Sequence, residues 1–519
     1  MNTKNLFFAL LASMTALTAT AQETYQDTKL IGNDLNGTAR YVGMGGAMEA
    51  LGADISTMTS NPAGTGFFSR TQVSVTGGLV WQNGVESHSV SGGHKTNASF
   101  DQIGIVAPLK FNGKPCINVG FNYHKSRNFD QILTASGALS MASQNKLSAI
   151  KYDKVGEWGW NAIDANYQKI LEKTDDQGKK YMDYYNGQAF DFGQYQHGYI
   201  GVYDFNISGA VSNSFYLGAT VGIHDVNYRS SSTYFEQLEQ NTNGASAERL
   251  KIDGTGVDIK VGAIFLPVDG SPFRVGLYIN SPVFYDLKLR GDAGSGFVQY
   301  SGSNLSGSNS SAYISNYCNY EYKIYTPWKF GVSLGHTVGS YLALGATYEY
   351  SDYGSIDNRV IDGTYYDPWN GSAYDTSSSD DVMNAHTERT LKGVHTLKLG
   401  AEFKPLPTLA LRAGYNWVSA VFDENGFRDG SLESPGSGYA TSTDYTNWKA
   451  TNRFTLGLGF QASKNINLDL AYQYSHTNGD FYPFMSYYGD TNPENNCIVR
   501  ATKVSHDRNQ VMATLSYRF

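Results

Sequence analysis

The sequence predicts an all-β fold: a 14-stranded antiparallel transmembrane β-barrel with an N-terminal hatch inside the lumen. Three observations predict it. The chain ends on a segment whose two faces separate. Phe519, Tyr517, Leu515, Ala513 and Val511 fall on one side, and Arg518, Ser516, Thr514 and Gln510 on the other, with Met512 the apolar exception. Strand side chains alternate, so one face can meet lipid while the other stays polar. The connections between candidate strands alternate strictly between long and short. Beyond the first residues no run of about 18 apolar residues occurs, and mean hydropathy is −0.37. That excludes a helical membrane protein but not strands, whose lipid-facing residues are diluted by lumen-facing ones. A half-buried edge strand of a soluble β-protein is the alternative for the C-terminus, and it gives no reason for sorted loops.

In chain order, Lys4, the apolar run Leu6 to Leu17 and the small residues Ala19-Thr20-Ala21 form an export leader. The expected mature chain starts at Gln22. Residues 1–21 are therefore read as signal peptide, 22–69 as hatch and 70–519 as barrel. Tyr 38, Phe 26, Trp 7 and Gly 56 suit aromatic girdles and a closely packed wall. A net charge of −8 argues against nucleic acid as a partner.

Residues 22–69 do not alternate. The run Gly37 to Gly52 is rich in Gly and Ala, and Asn61-Pro62-Ala63-Gly64 follows. Small residues allow close backbone packing and proline fixes a turn, so this segment is expected to plug the barrel. Gly43-Met44-Gly45-Gly46 is no phosphate loop, because no strand leads into it and the lysine is missing.

The fourteen expected strands are 71–82, 99–109, 115–125, 197–211, 214–228, 256–267, 272–285, 322–337, 341–353, 388–403, 408–420, 450–462, 465–477 and 506–519. Short turns such as Lys110 to Lys114, Ser212-Asn213 and Val268 to Ser271 carry the Asn, Asp or Gly that hairpins need. Long connections are expected at 83–98, 126–196, 229–255, 286–321, 354–387, 421–449 and 478–505. Leu342, Leu344, Ala346, Tyr348 and Tyr350 oppose Ala343, Gly345, Thr347, Glu349 and Ser351, and three further strands repeat this. Charges take the second face throughout. A Lys or Arg facing mid-membrane lipid costs roughly 2–4 kcal/mol, so that face is the lumen. Its set is Asp258, Lys260, Lys329, Glu349, Lys398, Glu402, Arg412, Arg453 and Asp469. It reads either as a path for a charged head group or as a wall-stiffening salt-bridge network.

The run Gly37 to Gly66 with its Asn61-Pro62-Ala63 resembles the N-terminal hatch of the FadL-type outer-membrane transporters of long-chain fatty acids and aromatic hydrocarbons. Gly276 to Pro282 with Tyr285-Asp286-Leu287, and Tyr325-Thr326-Pro327-Trp328-Lys329-Phe330, are similar to strand motifs of the same family. The resemblance implies a monomeric barrel plugged from the periplasmic side. It implies a hydrophobic small-molecule ligand, caught by outer loops, held in an apolar pocket and released sideways into the outer membrane. Outer-membrane lipid and lipopolysaccharide are then the surroundings, with no cofactor and no metal. By the same resemblance Asn61, Pro62, Ala63 and Gly64 are hatch or gating residues, with structural packing as their other role. A lateral gap is expected in the third strand near Gly120 and Phe121.

In 126–196, Trp160, Ile163 and Tyr167 recur with Ile170 and Leu171 at helical spacing. This amphipathic helix reads as a ligand-capture loop or as a helix that caps its own loop. Cys318 and Cys497 both fall in expected outer loops, and either a bridge or free thiols suits them. Rival functions are a haem receptor using His88, His94 or His386, a membrane hydrolase and a general porin. Ser475 and His476 are adjacent, so they point to opposite faces, and no nucleophile elbow occurs. The expectation is a transport protein, not an enzyme, with the identity of the lipophile open.

Overall fold

The computed structural model describes residues 23–85, 90, 92–111, 114–154, 160–300, 308–369, 371–438, 440–489 and 491–519. The expected leader 1–21, Gln22, His88 and Trp158 lie outside the described residues. Nineteen strand segments join in one sheet, and they make fourteen passes. These are β1 (Gln72–Asn83), β2 (Thr96–Phe111), β3 (Lys114–Asn128, continued by Gln131–Ala138), β4 (Gly187–Ser212), β5 (Phe215–Leu238), β6 (Thr242–Phe265), β7 (Arg274–Asn280 and Phe284–Tyr300), β8 (Ser308–Tyr325 and Lys329–Val338), β9 (Leu342–Asp352, continued by Asp357–Tyr366), β10 (Ala373–Ser379 and Gly393–Leu406), β11 (Leu409–Val418), β12 (Tyr445–Gln461), β13 (Ile466–Tyr482) and β14 (Thr502–Arg518). Each pairs antiparallel with its neighbours, and β14 closes on β1 from Gln72↔Arg518 to Asn83↔Asp507. Closure removes sheet edges, which a membrane does not tolerate.

The faces are those the alternation requires. Outward residues such as Leu456 (61% exposed) and Leu515 (51%) contrast with Thr514 (1%) on the lumen side. Met512, the apolar residue on the polar face of β14, belongs to one buried apolar cluster with Tyr41, Val42 and Met44 of the N-terminal segment. Its apparent misfit is a plug contact.

Several expected long loops are strand instead. β5 and β6 stay paired as far as Gln237↔Asn243, and β7 and β8 as far as Tyr300↔Ser308. Residues 229–238, 242–255, 286–300 and 308–321 therefore extend the wall. Their outward positions carry ion pairs, Arg249–Asp292 at 3.2 Å, Lys251–Asp253 at 2.5 Å and Lys288–Glu321. Hydrophobic alternation ends where lipid ends, while backbone pairing continues.

Residues 23–69 fill the lumen. Helix α1 (Thr24–Ile31) lies at the long-loop end, where Thr24 Oγ1 meets His386 Nδ1 and Thr387 Oγ1, both at 2.9 Å. The chain descends through α2 (Ala39–Gly43) and two 3-10 turns, Ile55–Thr59 and Pro62–Phe67, to the short-turn end. Each of the last three is capped by a short polar side chain. Thr38 accepts from Tyr41 N at 3.1 Å, Asp54 from Ser56 N at 3.0 Å and Asn61 from Ala63 N at 3.2 Å. In the outer loops lie α3 (Gln144–Lys154), α4 (Ala162–Leu171) and α5 (Asp381–Thr390). Among the described residues no helix is long and apolar enough to cross a membrane.

Candidate functional site

The N-terminal segment sits on a track of inward-facing wall glycines. A Cβ on Gly218 of β5 would stand 2.5 Å from the Pro62 carbonyl carbon, and one on Gly262 of β6 would collide with Asn61 Oδ1. Asn118 Nδ2 of β3 donates to the Thr65 and Phe68 carbonyls at 2.6 and 3.0 Å, and Thr65 Oγ1 donates to Asn206 Oδ1 at 2.6 Å. Asn61, Pro62, Ala63 and Gly64 are thus brought together against β3 to β7, with Asn61, Ala63 and Thr65 fully buried. On the opposite wall, Gly45 (φ +63°) turns the chain where a side chain would strike Leu399 O at 2.7 Å and Tyr415 N at 2.8 Å.

Charges clamp the same segment. Glu49 is fully buried and accepts from Lys398 Nζ at 2.8 Å, Tyr41 OH at 2.9 Å and Thr347 Oγ1 at 2.8 Å. Lys398 also donates to Glu349, 2.9 Å away. Arg40 pairs with Glu402 at 3.1 Å, Glu402 with Arg412 at 2.6 Å, and Arg412 with Asp469 at 2.7 Å. Higher up, Asp34 faces Arg508 at 3.2 Å and Arg127 at 4.0 Å. Burial would raise the Asp34 carboxyl, but Arg508, Arg127 and Arg453 outweigh it and hold it near 2. The Asp34 contribution to docking is therefore complete above the ordinary carboxylate range and is lost as pH falls through about 2. For most of the inward charges the salt-bridge reading prevails over a free path. Lys329 and Arg453 stand outside these ion pairs, with Arg453 Nη1 donating to Asn416 Oδ1 at 2.8 Å.

α1 closes the long-loop end. The Tyr25 ring stacks on Phe422 at 4.7 Å and its hydroxyl donates to Asn447 Oδ1 at 2.7 Å. Glu23 pairs with Arg428 at 3.4 Å. Asp27 is 1% exposed and neither carboxyl oxygen has a hydrogen-bond partner among the described residues. Burial, then Glu23 and Asp380, push its carboxyl well above the usual range. A raised acid favours docking below its unfolded value of about 3.9, and that contribution is lost as pH rises through the raised value. Asp27→Asn is therefore expected to slow amide exchange across Thr24–Ile31 at pH 7 by an amount equivalent to about 1–3 kcal/mol. The difference from wild type should vanish in acid.

Between α1 and the wall lies a cavity of about 370 Å³. Val202, Val283, Val418 and Phe422 give it apolar surface, while Lys260, Lys329, Glu349 and Arg453 line it with charge. The expected apolar pocket is thus a mixed one, because the inward faces of a barrel that holds a polar clamp cannot be apolar throughout. His124 and His224, which sequence reasoning passed over, line it too. His124 Nδ1 lies 3.3 Å from Asp204, Lys260 bridges Asp204 and Asp258 at 2.9 and 2.8 Å, and His224 Nε2 lies 3.3 Å from Asp258. Their even positions on inward-facing registers were the available signal.

Two expectations need correction. Gly120 and Phe121 lie in unbroken ladder, paired with Val106 and Ile105 of β2 and with Asn206 and Phe205 of β4. No gap exists there. Gly120 makes room for Met58 Cε of the N-terminal segment, and Phe121 faces outward beside Phe205. The wall changes further along. Pairing of β2 with β3 ends at Gln102↔His124 although both strands continue, and β3 has a register shift between Lys125 and Arg127. Side chains span this seam, with Asn36 Nδ2 donating to Lys125 O at 3.0 Å and Lys125 Nζ to Ser99 Oγ at 2.9 Å. The second correction concerns Trp160, Ile163 and Tyr167. The helix forms as α4, but Ile163, Tyr167 and Leu171 pack into a core with Met182, Leu238 and Phe297, and Trp160 lies edge-on to Tyr152. Its apolar face is covered by Met182 of its own loop and by Leu238 and Phe297 of the β5 and β7 strands, and offers no open groove.

Cys318 and Cys497 are both buried, and among the described residues no disulfide joins them. Burial raises the Cys497 thiol to about 12. His94 is exposed. The Nδ1 and Nε2 atoms of His386 are engaged by Thr24 and the Phe427 carbonyl at 2.9 Å each. Among the described residues no cluster of three metal-ligating side chains occurs.

Comparison with known proteins adds the following. Residues 285–519, less than half of the chain, match a family described as "Putative outer membrane beta-barrel porin, MtrB/PioB". No curated protein matches the sequence. The fold is similar to that of a Pseudomonas aeruginosa FadL homologue, at 14% identity and a TM-score of 0.51 over 94% of this chain and 100% of that one. The Ralstonia pickettii toluene transporter TbuX (12% identity, 93% and 99% coverage, TM-score 0.48) and the CymD monoaromatic hydrocarbon channel (11%, 94% and 99%, 0.48) are more distant. At such identities the likeness establishes the architecture, a closed 14-stranded antiparallel barrel.

Proposed function

We propose that this protein is an outer-membrane transporter that takes up hydrophobic small molecules passively through a plugged barrel and releases them sideways into the membrane. The observation that carries this reading is a barrel filled along its length by its own N-terminal segment, with a lined cavity left beneath the outer loops. An open pore for water-soluble solutes would need that segment gone. The barrier to a lipophile is the polar lipopolysaccharide layer outside, not the membrane core. A cavity that buries chain carbons gains about 0.8 kcal/mol per CH₂, and lateral release avoids returning those carbons to water. The seam between β2 and β3 is the proposed exit, and movement of residues 43–67, Asn61 to Gly64 among them, opens the way below. The neighbours described as toluene and monoaromatic transporters favour a lipophilic cargo. The charges at the cavity favour an amphiphile over a plain hydrocarbon.

The test is conductance in planar bilayers together with mass spectrometry of molecules co-purifying with the detergent-extracted protein. A sealed barrel with a bound lipophile is expected. Steady porin-sized currents and no bound lipophile would refute the proposal.

A further inference from the structure

The wall has a second discontinuity, and it lies in two adjacent strands at one level. β7 stops at Asn280 and resumes at Phe284, and β8 stops at Tyr325 and resumes at Lys329. Asn280 pairs with Lys329, and Phe284 with Tyr325, so the two interruptions face each other. Each contains a proline, Pro282 or Pro327, which has no N–H to give to a ladder. Hydroxyl groups replace part of the missing pairing. Val283 N donates to Thr326 Oγ1 at 2.8 Å, Ile259 N to Ser281 Oγ at 2.9 Å, and Ser351 Oγ to Trp328 O at 3.0 Å. Across the break itself one backbone bond remains, from Thr326 N to Val283 O at 3.1 Å.

The inner side of this patch is the cavity, lined there by Ser281, Val283, Thr326 and Pro327. The outer side is apolar and exposed, with Phe284 at 49%, Trp328 at 50% and Phe330 at 50%. Just beyond it the outward face turns charged at Asp286, Lys288 and Lys323. The break therefore sits at the upper margin of the lipid-facing belt. Irregular backbone at membrane depth is tolerated where it lines a cavity, and this one separates cavity from lipid by a single layer of chain. Away from this break and the β2–β3 seam, opening the wall means breaking a run of ladder bonds. Here it means parting a few bonds between Ser281–Val283 and Thr326–Trp328.

We infer that the β7–β8 break is a second lateral window, distinct from the β2–β3 seam, which admits the acyl or other apolar chain of an amphiphile between Pro282 and Pro327. The inference rests on the proposed transport of lipophiles, and it names where the apolar end goes. Lys329, the first residue after the break, lies on the cavity and receives the anionic end.

A long-chain fatty acid with a terminal diazirine, photolysed with the full-length barrel in lipid vesicles, tests the window independently of transport. Adducts within 281–283 and 326–328 that are competed by unlabelled fatty acid are expected. Adducts confined to outward residues such as Leu277 and Val332, or none in the break, overturn the window. A second variant, Val283→Cys with Thr326→Cys in a background lacking the native cysteines, locks the break. Oxidation should abolish the adducts and reduction should restore them. Adducts that persist in the oxidised protein also overturn it. Uptake into vesicles is read in parallel. Wild-type protein that carries no lipophile defeats the transport reading, whereas uptake untouched by the lock with no adducts in the break defeats the window alone.

Discussion

A Glu49→Ala variant is expected to leak. Glu49 is the buried carboxylate by which the N-terminal segment holds β9 and β10, through Thr347 and Lys398. Its removal leaves the Lys398 ammonium with Glu349 alone and strips the Tyr41 and Thr347 hydroxyls of their acceptor. Deleting one partner of a buried ion pair costs about 3–5 kcal/mol where the other charge is left unpaired; Lys398 keeps Glu349, so the loss falls at or below the lower end of that range. The wall loses none of its own ladder, so the barrel persists and the docked segment carries the loss. Planar-bilayer recordings should show current steps that wild type lacks, and limited proteolysis should cut within 23–69. Glu49→Gln keeps an acceptor and should fall between the two. A Glu49→Ala protein as tight as wild type would mean that packing alone retains the segment.

Gly414→Val is expected to expel the segment from the other side. A Cβ there would stand 2.5 Å from the Met44 carbonyl carbon and collide with Gly45 N. That is backbone, held in place by Gly43 to Gly46 against β10 to β12, and it has no flexible end to yield. Overpacking of a well-filled interior typically costs about 1–3 kcal/mol, and the two extra methyl groups of valine aggravate it. The variant should fold as a barrel, judged by its heat-modifiable gel mobility, yet conduct. Gly77→Ala is the control, since a Cβ at that position meets only Ser99 O, at 3.4 Å. Conductance in the control, or none in Gly414→Val, would show that the glycine track does not set the fit.

These expectations join two kinds of information. The alternation of Leu, Ala and Tyr against Lys, Glu and Arg in β9 to β11 and β13 was legible because lipid imposes a strict period of two. The sorting of short and long connections was legible for the same reason. The strand extensions of β5 to β8 were not, because their outward positions carry ion pairs and lose the hydrophobic signal. Asn61-Pro62-Ala63 could be singled out as a rigid element, whereas its seats, Gly218 and Gly262, lie about 150 to 200 residues away along the chain. α4 was legible as a helix, but its partners Leu238, Ala293 and Phe297 come from distant hairpins, so its role was not.

The chain by itself determined the cylinder. Residue parity and hairpin turns are local, and a membrane leaves them one closed solution. Tertiary structure alone decided which inward charges clamp the plug, where the ladder fails and what remains as cavity. Each of these depends on residues far apart in the chain meeting across a lumen, where shape and pairing, not period, set the energy.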